Sequence, residues 1–131
     1  MIGLDTNVLV RYIMQDDTKQ SVKASKLIDA LTPEAPGFLP LVAVVELSWV
    51  LSSSYGLKRE QVAQAFDALL QTKEIVIECA DQVRRALRTY AVTNADFADC
   101  LIERAASSAG CERTMTFDVA AAKLAGMTLI Q

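Results

Sequence analysis

The sequence predicts an α/β fold built on a parallel sheet, as one domain over residues 1–131. Three observations carry that expectation. Short apolar runs of strand length alternate with longer segments of helical periodicity, the pattern of strands joined through helical crossovers. No linker, internal repeat or low-complexity tract interrupts the alternation. A chain of 131 residues can bury one substantial core but is too short for two domains of ordinary size.

Met1–Leu4 is the first expected strand and Asn7–Met14 the first helix. Lys19–Leu31 is amphipathic: Val22, Leu27, Ile28 and Leu31 oppose Lys19, Lys23, Lys26 and Asp29, which buries one face and solvates the other. Pro33 and Pro36 punctuate the way to a short strand, Gly37–Leu39. The helix Leu41–Ser53 opens LVAVVELSWVL, apolar almost all round, as expected of a helix buried on several sides. Gly56 marks the next connection, before the helix Arg59–Thr72 and the strand Ile75–Ile77. Asp81–Tyr90 and Phe97–Ala109 read as helices, Thr114–Phe117 as a strand and Val119–Ala125 as a short helix with Gly126 at its C-cap. Thr128–Ile130 is the last strand.

Composition narrows the chemistry. The chain has no histidine, which removes imidazole bases and Ser-His-Asp triads. Its three cysteines, Cys79, Cys100 and Cys111, form no CxxC pair and are too few for a four-ligand zinc site. Each is expected as a small core residue in a reducing compartment. Hydrophobic residues make up 52% of the chain, yet no apolar run approaches the roughly 20 residues that span a bilayer. The amino terminus shows no secretory signal. A cytoplasmic protein with no membrane partner is the expectation, its chemistry resting on carboxylates, hydroxyls, lysines or a bound metal.

Carboxylates stand where apolar residues are expected. In the opening MIGLDTNVLVRY, Asp5 marks the switch from strand to helix, as a cap or as the start of a site. Glu46 is the one charge in LVAVVELSWVL, with Val42, Ala43, Trp49 and Val50 as its helical neighbours. A buried carboxylate without a cation must be neutralised by a raised pKa, a distant base or a metal. In TNADFADCLIERAASSAG, Asp96 suits a helix start, whereas Asp99 shares a stripe with Ile102, Ala106 and Ala109 that reads as core-facing. Asp118 repeats the strand-acid-helix arrangement of Asp5. Parallel α/β sheets bind ligands at the carboxyl ends of their strands, where Asp5 and Asp118 are expected. Thr6, Asn7 and Thr116 lie beside them, as orienting groups or as ordinary turn residues.

Such carboxylates would repel one another if they converged, and a hard divalent cation removes the conflict. Oxygen-only ligands favour Mg2+ or Mn2+ over zinc or copper. A site of that kind can activate water and stabilise in-line attack on a phosphodiester without a histidine base.

MIGLDTNVLVRY, the lone glutamate of LVAVVELSWVL, the pair in ADFADCLIERA and the acid of TMTFD, in this order and spacing, resemble the PIN-domain proteins, specifically VapC-type toxins of bacterial toxin-antitoxin pairs. The resemblance implies a three-layer α/β/α sandwich with a five-stranded parallel sheet, and a Mg2+- or Mn2+-dependent endoribonuclease. Asp5, Glu46, Asp99 and Asp118 then correspond to the acidic quartet that holds the metal, and Asp96 to an accessory acid found in many members. A homodimer and a cognate antitoxin are implied as well. The segment after Asp118, VAAAKLAG, lacks the polar residue that some members carry there.

The formal net charge of −3 at first opposes RNA binding. Setting aside the four candidate ligands makes the remainder positive. Arg11, Lys19, Lys23 and Lys26 form one basic group and Arg84, Arg85 and Arg88 another; each is a candidate phosphate contact or a solvated face, with Arg11, Lys19 and Arg85 the candidates for RNA. Aspartyl-phosphate enzymes fit poorly, since Asn7 stands where a second aspartate would be needed. The remaining alternative is a PIN-like module that binds RNA or a protein without cutting.

Overall fold

The computed structural model describes all residues, Met1–Gln131. The chain divides into two compact units, Met1–Glu78 and Cys79–Gln131.

In the first unit the order is β1 (Ile2–Gly3), α1 (Thr6–Met14), α2 (Gln20–Asp29), β2 (Gly37–Leu39), α3 (Leu41–Trp49), a π-helical turn (Val50–Ser54), α4 (Arg59–Gln71) and β3 (Ile75–Ile77). The three strands form a parallel sheet with β2 in the centre, Ile2 opposite Gly37 and Leu39 opposite Ile77. Parallel neighbours require crossovers, and here two helices make each one. A side chain at Gly37 would meet Leu4 Cδ1 at 2.7 Å and Leu31 Cδ1 at 3.0 Å, so glycine lets these leucines close over the central strand. Leu9 of α1, Val44 and Leu47 of α3 and Phe66 of α4 are completely buried, together with Leu39 of β2 and Leu51 of the π turn.

The second unit comprises α5 (Ala80–Val92), α6 (Phe97–Ser108), β4 (Met115–Thr116), α7 (Val119–Leu124) and β5 (Thr128–Leu129). On α5, Val83, Ala86, Leu87 and Tyr90 recur at helical spacing and are buried. They pack α5 on α6, where Tyr90 and Phe97 meet edge to face with ring centres 5.7 Å apart, a favoured aromatic geometry. β4 and β5 pair in parallel, Met115 opposite Thr128. Gly126, at φ +81°, takes the left-handed position just past the end of α7.

Both the α/β class and the parallel pairing agree with the sequence, and each expected element is present. Three differences stand out. The strands form a three-stranded and a two-stranded sheet in place of one sheet of five. Capping begins within two residues of the ends of β1 and β4, at Asp5 and Asp118, which leaves each strand only a two-residue ladder. The helix starting at Leu41 changes to π form at Val50. Of the three cysteines only Cys100 is buried, while Cys79 and Cys111 are exposed: one caps the start of α5 in a left-handed conformation and the other follows the end of α6, both outside the helical stripes that form the core.

Candidate functional site

Four of the five candidate acids take positions in the first turn of a helix, and three of those are N-caps. Asp5 opens α1, its Oδ1 accepting from Thr6 N at 2.7 Å. Asp96 opens α6 and accepts from Asp99 N at 3.0 Å. Asp118 opens α7, its Oδ1 accepting from Ala120 N at 2.8 Å and Ala121 N at 3.2 Å. Thr116 Oγ1 in turn accepts from Asp118 N at 3.0 Å, closing the strand-to-helix turn. These caps satisfy helix N–H groups that have no internal partner. Each uses Oδ1, which leaves Oδ2 as a second donor atom, so a capping aspartate is still equipped to bind a cation.

Asp99 is different. It lies in the first turn of α6, partly buried, and its carboxyl is held above the ordinary value, first by burial and then by the charges of Asp96 and Asp118. All three belong to the second unit, which therefore gathers three carboxylates within electrostatic reach. Asp99 does not lie on a core-facing stripe, however. Ile102 is 54% exposed and Ala109 is exposed, because the buried face of α6 is formed by Phe97, Cys100 and Leu101.

Glu46 departs from expectation in the opposite sense. The helix α3 buries only Ala43, Val44, Leu47 and Ser48; Glu46 lies on its exposed face, between Val42 at 81% and Trp49 at 63% exposure. The stretch was expected to be buried all round because its composition is apolar, but the core takes a single stripe. Its carboxylate is therefore solvated and imposes no burial penalty of its own. Within the first unit α1, which starts at Asp5, packs on α3, which carries Glu46.

The supporting residues sort by exposure. Thr6 is buried and Asn7 exposed, and Asn7 borders a groove between α1 and α2 that Arg11, Gln20 and Lys23 also line. Among the basic candidates, Arg11 is already engaged: its guanidinium pairs with Asp16 at 3.1 Å and bonds Gln20 at 2.8 Å and the Tyr55 hydroxyl at 3.2 Å. Lys19 is exposed at the start of α2. Arg85 is exposed on α5 beside a shallow depression bordered by Asp81, Gln82 and Ser108.

The fit to a divalent cation rests on the chemistry of the donors. No buried side-chain oxygen or nitrogen lacks a partner, and within neither unit are three acidic or sulfur side chains gathered closely enough to enclose an ion. What the second unit does show is a carboxylate made costly first by burial and then by two like charges, a cost that a hard cation would relieve. All-oxygen donors of this kind suit a hard divalent cation.

Two features escape sequence reasoning. Pro40 offers no side-chain cap to α3; Glu78 Oε1, 37 residues away, accepts from Leu41 N at 2.7 Å instead. The Arg11–Asp16–Tyr55 cluster also joins residues far apart in sequence. Neither leaves a local periodic signal.

The sequence profile of the PIN domain family matches residues 2–127. The chain is 24% identical over 115 residues to the VapC ribonuclease of Aquifex aeolicus (strain VF5), covering 87% of this chain and 84% of that protein. It is similar to the crystal structure of Mycobacterium tuberculosis VapC20, described as a sarcin-ricin loop cleaving toxin, with a TM-score of 0.46 and 16% identity over 100% of this chain and 99% of that one.

Proposed function

The chain belongs to the PIN domain family, and from that premise we propose that it is an endoribonuclease, the toxin of a toxin-antitoxin pair, working with Mg2+ or Mn2+ held by carboxylates. The observation that carries the proposal is the acidic neighbourhood of Asp99, raised by burial and by Asp96 and Asp118; the VapC ribonuclease among its relatives supports the same activity. The profile spans both compact units, in keeping with one functional domain.

In this scheme the acids that match the family pattern, Asp5, Glu46, Asp99 and Asp118, would be the cation ligands, with Asp96 as an accessory donor. The bound ion would neutralise the carboxylates, lower the pKa of water and offset charge developing on the phosphodiester. The chain's own residues do the rest. Backbone N–H groups at the starts of α1 and α7 fix Oδ1 of Asp5 and Asp118, and Thr116 holds the turn before Asp118. Those bonds set each carboxylate before substrate arrives, which is how preorganisation lowers a barrier. The exposed basic residues Lys19 and Arg85 would position the RNA and Asn7 would support Asp5, while Arg11 is engaged with Asp16 and Tyr55. A cognate antitoxin and a homodimeric state complete the proposal, and no helix is long and apolar enough to cross a membrane.

A second reading, a PIN module that binds without cutting, draws on the absence of a ready-made three-acid group in either unit. One experiment separates the two. Purified protein is given a mixed transfer and ribosomal RNA pool with Mg2+ or Mn2+, alongside Asp5→Asn and a chelator control, and its melting temperature is followed as Mn2+ is added. Discrete fragments should vanish in both controls, and activity should fall by about two orders of magnitude or more, the scale of several kcal/mol of lost charge stabilisation. Intact RNA, with no melting shift at millimolar Mn2+, would leave the binding module.

A further inference from the structure

Arg11, Asp16 and Tyr55 form a closed set of hydrogen bonds. The Tyr55 hydroxyl donates to Asp16 Oδ2 at 2.7 Å and accepts from Arg11 at 3.2 Å. Arg11 in turn reaches both Asp16 oxygens, at 3.1 and 3.3 Å, and its Nε donates to Gln20 Oε1 at 2.8 Å. Arg11 sits in the last turn of α1; Asp16 follows Gln15, whose left-handed backbone (φ +51°) ends that helix. Tyr55 caps the π turn that prolongs α3. Two bonds, both at the Tyr55 hydroxyl, therefore bind the end of α1 to the segment beyond α3, across some forty residues of chain.

The π turn explains how Tyr55 gets there. Its closing bond runs from Tyr55 N to Val50 O at 3.1 Å, one residue longer than an α-helical bond. One inserted residue rotates everything after it by about 100°, the angle set by 3.6 residues per turn. An uninterrupted α-helix would carry the Tyr55 ring to a different side of the helix axis. At the changeover the Ser52 hydroxyl donates to Ser48 O at 2.8 Å and Trp49 O at 3.3 Å, supporting carbonyls where the bonding pattern shifts. Single π turns are rare and concentrate at functional sites.

We propose that this cluster is a positioning device for the nuclease site: by fastening the end of α1 to the segment that continues α3, it holds Asp5, at the head of α1, and Glu46, on α3, in one fixed relation. The inference rests on the assignment of Asp5 and Glu46 as cation ligands. It concerns residues that touch neither cation nor substrate. About a third of each ion-pair side chain is exposed, and exposed pairs add little to global stability. Geometry, not stability, is what such a cluster controls.

The test is Tyr55→Phe, which keeps the ring and removes the hydroxyl. Groups bonded directly to metal ligands are worth about 10–100-fold in metal affinity or activity; this cluster acts through the helices that carry the ligands, so its effect belongs at the lower end. The variant should therefore need about tenfold more Mn2+ for a half-maximal melting shift and show a lower kcat, with KM for RNA and metal-free melting temperature close to wild type. Asp16→Asn, a second variant at an exposed site, should show the same displacement, and the double variant should add little to either. A lowered melting temperature with an unchanged Mn2+ requirement in both variants would make the cluster purely structural and overturn the inference. Failure of the wild type itself to respond to Mn2+ would instead remove the ligand assignment beneath it.

Discussion

Asp16 and Asp99 titrate away from the ordinary carboxylate value in opposite directions. The Tyr55 hydroxyl, then the Arg11 guanidinium, stabilise ionised Asp16 and hold its pKa below the ordinary value. A depressed carboxylate contributes stability above its unfolded pKa and loses it as pH falls through its folded one. Because the pair is exposed, the metal-free melting temperature of Asp16→Asn should lie close to that of wild type at neutral pH, and the small difference should narrow as pH falls through the lowered pKa of Asp16. For Asp99, burial first and then Asp96 and Asp118 raise the pKa. The metal-free protein therefore loses stability as pH rises from the ordinary value through the raised one. Asp99→Asn should melt higher than wild type in chelator at neutral pH, by an amount on the order of a few degrees, with no gain in acid. A lower melting temperature at neutral pH would mean that the favourable charge in the first turn of α6 outweighs repulsion and burial. The helix of Asp99 was legible in sequence, but the core-facing stripe expected there was not its setting, since Ile102 and Ala109 are exposed. The setting of Asp16 was not legible either, since the hydroxyl that perturbs it lies 39 residues on.

At the scale of the element, capping and the proposed catalytic role fall on the same side chains. Asp118 accepts two N–H bonds at the start of α7, so its substitutions divide the roles. Asp118→Asn keeps the cap and removes the charge; Asp118→Ala removes both. The asparagine variant should lose RNA cleavage at near wild-type stability. The alanine variant should lose an additional ~0.5–2 kcal/mol in a denaturant melt, the usual worth of a cap. Equal stability of the two would show that α7 does not depend on its cap. Most helix and strand positions were legible from periodicity, with ends displaced by a residue or two in either direction, α5 extending to Val92 and β1 shortened to Ile2–Gly3. The π turn at Val50–Ser54 and the cap that Glu78 lends to α3 were not, because both depend on residues outside the local pattern. Glu46 shows the same limit: LVAVVELSWVL identifies a helix, but only packing decides that one stripe of it is buried.

For the whole molecule, the question is how a chain of net charge −3 would engage the proposed RNA substrate. Lys19 and Arg85 are exposed and free to meet phosphate, while Arg11 is held by Asp16. Lys19→Ala and Arg85→Ala should each weaken RNA binding uniformly across sequences and reduce the slope of log affinity against log salt by about 1, as loss of one phosphate contact does. An unchanged slope in either variant would return that residue to the solvated surface. Arg11→Ala should act differently, displacing the Mn2+ requirement as Tyr55→Phe does, because its guanidinium belongs to the cluster.

By itself the sequence determined the α/β class, the order of seven helices and five short strands, the parallel pairing and the five acids worth examining. Apolar periodicity and capping preference are local, and they act before distant parts of the chain meet. Only the tertiary structure decided which side of α3 is exposed, that two of the three cysteines lie at the surface, that the strands divide into sheets of three and two, and that Tyr55 closes on Asp16 and Arg11. Each of these depends on contacts between residues far apart in sequence, where burial and pairing follow from which surfaces pack together.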